Sequence, residues 1–113
     1  MEFSEYQKRA RETAIYPDVG ENFIYPALGL AGETGEVIEH VKKLMRDAAV
    51  SKASDIPEDR RDNLEKEMGD VVWYLAQLAS ELGLELETIA SRNIEKLQSR
   101  KDRGVLHGDG DNR

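Results

Sequence analysis

The chain has 113 residues, enough for one domain built around one modest hydrophobic core. Charged residues make up 35% and aromatics 6%, a Glu-, Lys-, Leu- and Ala-rich composition that reads as helical and soluble. A formal net charge of -7 argues against a nucleic-acid or anionic-membrane surface, and the absence of cysteine excludes disulfides and thiolate chemistry.

Ser4 and Gln7 have capping-box spacing, and Phe3, Tyr6 and Ala10 form a short apolar face that Ala14 continues. A first helix is predicted from Ser4 or Glu5 to about Ala14. It is too short to be stable alone, so it must pack on something. Gln7 and Thr13 read as surface polarity rather than as ligand contacts. Tyr16, Pro17, Asp18 and Gly20 mark a turn. Asn22 to Pro26 is a connector, and Pro26 suits the first turn of the next helix, where its missing N–H is no loss. The second helix is predicted to run to about Ala48, and Ala49 to Ser54 reads as a loop.

Asp55 followed by Glu58, with Pro57 between, signals a third helix from near Ile56 to Leu82, with Gly83 as its C-cap. Val71 to Ala79 is nearly all apolar, and Trp73 lies roughly opposite the Leu64, Val71 and Leu75 stripe. A helix apolar on both sides is buried on both sides. The second cover is read as another subunit in preference to the first helix. A fourth helix is expected from about Leu86 to Lys101, with Leu86, Ile89, Ala90, Asn93, Ile94 and Leu97 facing inward. Asn93 is an amide within that stripe and needs partners, either protein groups or a ligand's base or sugar. Lys96 and Arg100 follow it along one edge.

Residues 103–113 contain three glycines and read as a flexible tail beyond a domain of residues 1–102. In it, Arg103, His107 and Arg113 could close over an anion. The amino terminus lacks the apolar stretch of a secretory signal, and no run reaches the length of a membrane span. A cytoplasmic protein is the expectation.

The organising stretch is Leu28 to Met45. Leu30, Val37, Val41 and Leu44 gather into one apolar stripe, with Glu33 on its shoulder and Glu36 the next step out. Glu39 falls nearly opposite and reads as solvated. Leu64 to Ala79 repeats this pattern at a constant offset. Glu67 matches Glu33, Gly69 matches Gly35, and Asp70 matches Glu36. A glycine inside a helix costs about 1 kcal/mol relative to alanine, so the paired glycines suggest a close approach of backbones. The two helices are expected to pack together and bring four carboxylates to one place.

Two carboxylates ~5 Å apart repel by about 3 kcal/mol at an effective dielectric near ~20. Four together require partial protonation or a cation. An oxygen-only donor set suits Mg²⁺, with Mn²⁺ as a substitute, and disfavours zinc. Mg²⁺ held by carboxylates completes its shell with water and phosphate, and Lys43, Lys96 and Arg100 could balance the outer phosphate oxygens. Phosphoryl polarisation and water activation are the chemistry such a site performs. Glu36 is followed three residues on by Glu39, so the Glu-x-x-His pattern of di-iron bundles is absent. There is no GxxxxGK[ST] loop either.

GLAGETGEVIEHVKK, EKEMGDVVWYLAQLA and NIEKLQSR together resemble the MazG-type all-α nucleoside triphosphate pyrophosphohydrolases, over nearly the whole chain from Tyr6. Dimeric dUTPases and phosphoribosyl-ATP pyrophosphohydrolases are more distant relatives. The family's ExxE pair, spacer and ExxD pair correspond to Glu33/Glu36 and Glu67/Asp70, with a spacer near the long end of the accepted range. The resemblance implies an all-α, four-helix-type bundle assembling as a homodimer or homotetramer with composite sites. It implies Mg²⁺ bound by Glu33, Glu36, Glu67 and Asp70, one glutamate also orienting the attacking water. It implies cleavage between the α and β phosphates of a nucleoside triphosphate, giving a monophosphate and pyrophosphate, with nucleotide-pool cleansing as the expected role. Asn93 would touch sugar or base, Lys96 and Arg100 the phosphates, with Lys43 as a further phosphate contact. The alternatives are a dUTPase-like base specificity and a non-catalytic helical module that binds nucleotide or a partner protein. The GDGDNR ending resembles a feature of one small single-domain branch.

Overall fold

The structure, a computed structural model, describes residues 1–113. It consists of four helices and no strand: α1 (Phe3–Arg11), α2 (Ile24–Ala48), α3 (Glu58–Glu81) and α4 (Leu86–Asp102), with a 3-10 turn at Ala53–Asp55 before α3. The all-α expectation holds, and the helix ends differ from those predicted by at most a few residues. No helix is long and apolar enough to cross a membrane.

α1 ends at Arg11, earlier than predicted, and the Thr13 hydroxyl donates back to the Ala10 carbonyl at 2.7 Å. The capping box does not form. Glu2 is the N-cap residue and no side chain caps the helix. Gln7 is instead drawn across the molecule. Its Nε2 donates to Ser80 Oγ (3.1 Å) and the Leu84 carbonyl (2.9 Å), and its Oε1 accepts from the Leu86 N–H (2.7 Å). The expected surface polarity is therefore corrected: Gln7 fastens α1 to the α3–α4 corner and satisfies an orphan donor at the start of α4. That corner closes as anticipated, with Gly83 left-handed (φ 67) and the Leu84 N–H donating to the Ala79 carbonyl at 2.8 Å.

Ala10, Ala76 and Leu86 form the small core beneath α1, with Tyr6 and Trp73 packed against it. The Trp73 indole N–H donates to Thr13 Oγ1 at 2.8 Å. α1 thus covers Trp73, and the reading that assigned this cover to a second subunit is corrected. The small side chains at Ala10 and Ala76 let α1 come close enough to reach the indole.

α2 and α3 pack along each other in opposite directions, since Leu44 lies across from Leu64 while Gly29 lies across from Tyr74. Close approach occurs at Gly29, where an added Cβ would fall inside the Tyr74 ring. Gly35 and Gly69, expected to mark that approach, face open space. They lie on the outward side of the pair, where glycine frees no packing room.

α4 packs on α1 rather than along α2. Leu86 is buried, but Ile89, Asn93, Ile94 and Leu97 are exposed. The inward stripe predicted for α4 is corrected accordingly: no helix of the same chain lies over it. The radius of gyration is 17.1 Å, against about 13 Å for a compact chain of this length.

Candidate metal centre

The antiparallel pairing of α2 and α3 brings the middles of the two repeated stretches together. Glu33 from α2 and Glu67 and Asp70 from α3 each offer a carboxylate oxygen, and these ligand atoms all lie within 4.8 Å of one another. Glu33 and Glu67 are half-buried and Asp70 is exposed, so one side of the cluster is open to solvent. Glu36 is exposed and lies outside this set of three, close enough for its charge to act on Glu33. Burial pushes the Glu33 carboxyl above its usual range, and the charges of Asp70, Glu67 and Glu36 push it further. Three carboxylates that repel one another across two rigid helices form an oxygen-only donor set suited to a hard divalent cation.

Aromatic rings stand beside the acids. Tyr16 stacks on Tyr25 with centroids 5.0 Å apart, Tyr25 lies 6.4 Å from Tyr74, and Trp73 meets Tyr74 edge-on at 5.0 Å. The Tyr74 hydroxyl is pushed up by burial, then by Tyr25 and by the charges of Glu33 and Asp70, which places it next to the acidic centre.

The basic candidates lie elsewhere. Lys43 Nζ is 3.9 Å from Glu39, which also pairs with Lys42 at 2.9 Å. Lys96 and Arg100, on α4, both hold Asp111 of the carboxy-terminal segment. Lys96 Nζ donates to its Oδ1 at 2.9 Å and Arg100 Nη2 at 3.1 Å, and Arg100 Nη2 also donates to its carbonyl. These two cations hold the Asp111 carboxyl below its usual range. The segment is wrapped around its last side chain, for Arg113 donates to the carbonyls of Val105 (3.1 Å), Leu106 (2.8 Å) and Gly110 (2.7 Å).

One residue at the centre escapes motif reading. His40 Nε2 lies 3.2 Å from Glu67 Oε1, across the helix pair. A signal for it exists in the sequence. The offset that pairs Glu33 with Glu67 and Glu36 with Asp70 also pairs His40 with Tyr74. Both residues of that third pair stand beside the acids.

These features define a helical domain whose acidic centre is built from two repeated halves. Residues 26–105 match the MazG nucleotide pyrophosphohydrolase domain, and the chain belongs to that family. It is similar to the Gene 37 protein of Mycobacterium phage L5, with 50% identity over 113 residues that cover 96% of either chain. No solved structure matches.

Proposed function

We propose that the chain hydrolyses nucleoside or deoxynucleoside triphosphates between the α and β phosphates, releasing a nucleoside monophosphate and pyrophosphate, and so cleanses the nucleotide pool. The observation that carries this reading is the convergence of Glu33, Glu67 and Asp70 from the two repeated halves. Glu36, one turn from Glu33, completes the metal-ligating set on the open side. Mg²⁺ suits such oxygen donors, with Mn²⁺ able to replace it. A cation there supplies Lewis acidity toward the phosphoryl oxygens and acidifies water.

The chain's own residues do the rest. One of the glutamates orients the attacking water. Asn93 contacts sugar or base, and Lys96, Arg100 and Lys43 contact phosphate oxygens. Because α4 packs on α1 and not along α2, the α4 residues would reach an acidic centre most directly from a second subunit. We infer a homodimer or homotetramer with shared sites. The extended shape and the exposed Ile38, Val41, Met45, Met68 and Ile94 support it, since apolar surface of this kind marks an interface.

The test is pyrophosphate release from a panel of nucleoside triphosphates with Mg²⁺, with the products identified and the mass in solution measured by light scattering. Monophosphate plus pyrophosphate from an oligomer is expected. A folded, metal-replete protein that turns over no nucleotide overturns the reading.

A further inference from the structure

The bond between His40 and Glu67 joins the two halves of the centre. Both side chains are 25% exposed, so the contact is largely shielded from water. His40 lies four residues beyond Glu36 and seven beyond Glu33, on the same stripe of α2. Yet it does not join the three residues whose ligand atoms lie within 4.8 Å of one another. It touches Glu67 from outside that set. A carboxylate can only accept, so Nε2 carries the hydrogen and donates it to Oε1. One oxygen of Glu67 is then engaged from the side and the other is left for a cation.

We propose that His40 is a positioning residue for Glu67: its Nε2–H fixes the carboxylate of the opposite helix in the orientation that binds the cation. This rests on the metal-dependent reading above. Outer-shell hydrogen bonds to ligating groups set ligand orientation, and their loss typically weakens metal binding by about 10- to 100-fold. The register of the repeat supports the assignment. Tyr74, at the place equivalent to His40, stands beside Glu33 and Asp70 on the other half of the centre.

The experiment is Mn²⁺ binding to the folded full-length chain, by calorimetry and by electron paramagnetic resonance, for wild type, His40→Ala, His40→Gln and His40→Asn. A Gln amide nitrogen overlies imidazole Nε2, whereas an Asn amide nitrogen overlies Nδ1 and falls short of Glu67. His40→Ala and His40→Asn are expected to weaken Mn²⁺ binding by about tenfold or more, and His40→Gln to recover most of the loss. Circular dichroism should show the same helical content in all four. Unchanged affinity in His40→Ala overturns the proposal, as does a failure of His40→Gln to recover. Nitrogen hyperfine coupling to Mn²⁺ in the wild type, absent in His40→Ala, also overturns it, because His40 would then be a ligand. A wild type that takes up no Mn²⁺ defeats the metal reading itself, and the positioning role with it. Wild-type binding with an indifferent His40→Ala defeats the positioning role alone.

Discussion

Arg11 Nη2 lies 2.7 Å from Glu81 Oε2, and the Glu81 side chain is 1% exposed. The same carboxylate accepts from the backbone N–H groups of Gly20 and Asn22, at 2.9 to 3.0 Å. It thereby pins the α1–α2 turn, where Asp18 and Gly20 are left-handed, to the end of α3. Arg11 also donates to Tyr16 Oη (2.7 Å) and Gln77 Oε1 (3.0 Å). Burial pushes the Glu81 carboxyl up, but the Arg11 bond and the two backbone donors outweigh this and hold it below its ordinary value.

Glu81→Gln leaves the guanidinium without its counter-charge, at a cost of about 3 kcal/mol in unfolding free energy. A depressed carboxyl contributes stability that is present above its ordinary pKa and lost as pH falls through the lower folded value. Wild type should therefore lose stability on acidification more steeply than Glu81→Gln. Urea titrations at a series of pH values check both the offset and the slope.

Gly29 and the glycines of the repeat should behave oppositely. Gly29→Ala drives a methyl into the Tyr74 ring and displaces it from the aromatic row beside the acids. Overpacking of this kind costs about 1 to 3 kcal/mol. Gly35 and Gly69 face open space within their helices, so alanine at either should gain up to about 1 kcal/mol. Thermal melts of the three variants separate the cases, and a destabilised Gly35→Ala would show that its open face is covered in solution.

This contrast also shows what the sequence could convey. The acid pairs were legible because helical periodicity places Glu33 and Glu67 on the shoulder of an apolar stripe, and the duplication names their partners. Side-chain reach across the fold was not. Gln7 resembles a capping residue from its spacing to Ser4, but the competing partners Ser80, Leu84 and Leu86 lie far along the chain. Nothing in the sequence ties Trp73 to the short α1 in preference to a second subunit, and the small Ala10 and Ala76 let that helix close on it. His40 was hidden for a different reason. Its partner, Glu67, belongs to the opposite half, and the contact is visible only when the repeat is extended by one more turn.

The acidic centre should trade stability for function. Glu33 is held above its usual range by burial and by three neighbouring acids, so its ionised form opposes folding. A raised carboxyl exacts that cost above its folded pKa, and the cost is relieved as pH falls through it. In metal-free protein at neutral pH, Glu33→Gln should melt at a higher temperature than wild type, with the advantage shrinking under mildly acidic conditions. The same variant, like Glu67→Gln and Asp70→Asn, should lose Mn²⁺ uptake and hydrolysis while keeping its helical spectrum. Paired melts with and without Mn²⁺ check this, because wild type should gain stability from the ion and the variants should not.

Asp111 gives the most direct test of the basic edge of α4. Its carboxylate sits on Lys96 and Arg100, the two cations proposed for phosphate, and its side chain is 78% exposed. Arg100 is nearly covered and its Nε has no partner. A single exposed carboxylate is a weak occupant compared with a polyphosphate, which brings more charge and more acceptor oxygens. If both compete for the same two side chains, Asp111→Asn should lower the KM for nucleotide several-fold and leave kcat nearly unchanged. Lys96→Ala should raise KM in either background. Steady-state kinetics across the three variants reads the outcome directly. A higher KM in Asp111→Asn would mean that the carboxylate holds Lys96 and Arg100 in place for the phosphate instead of contesting it.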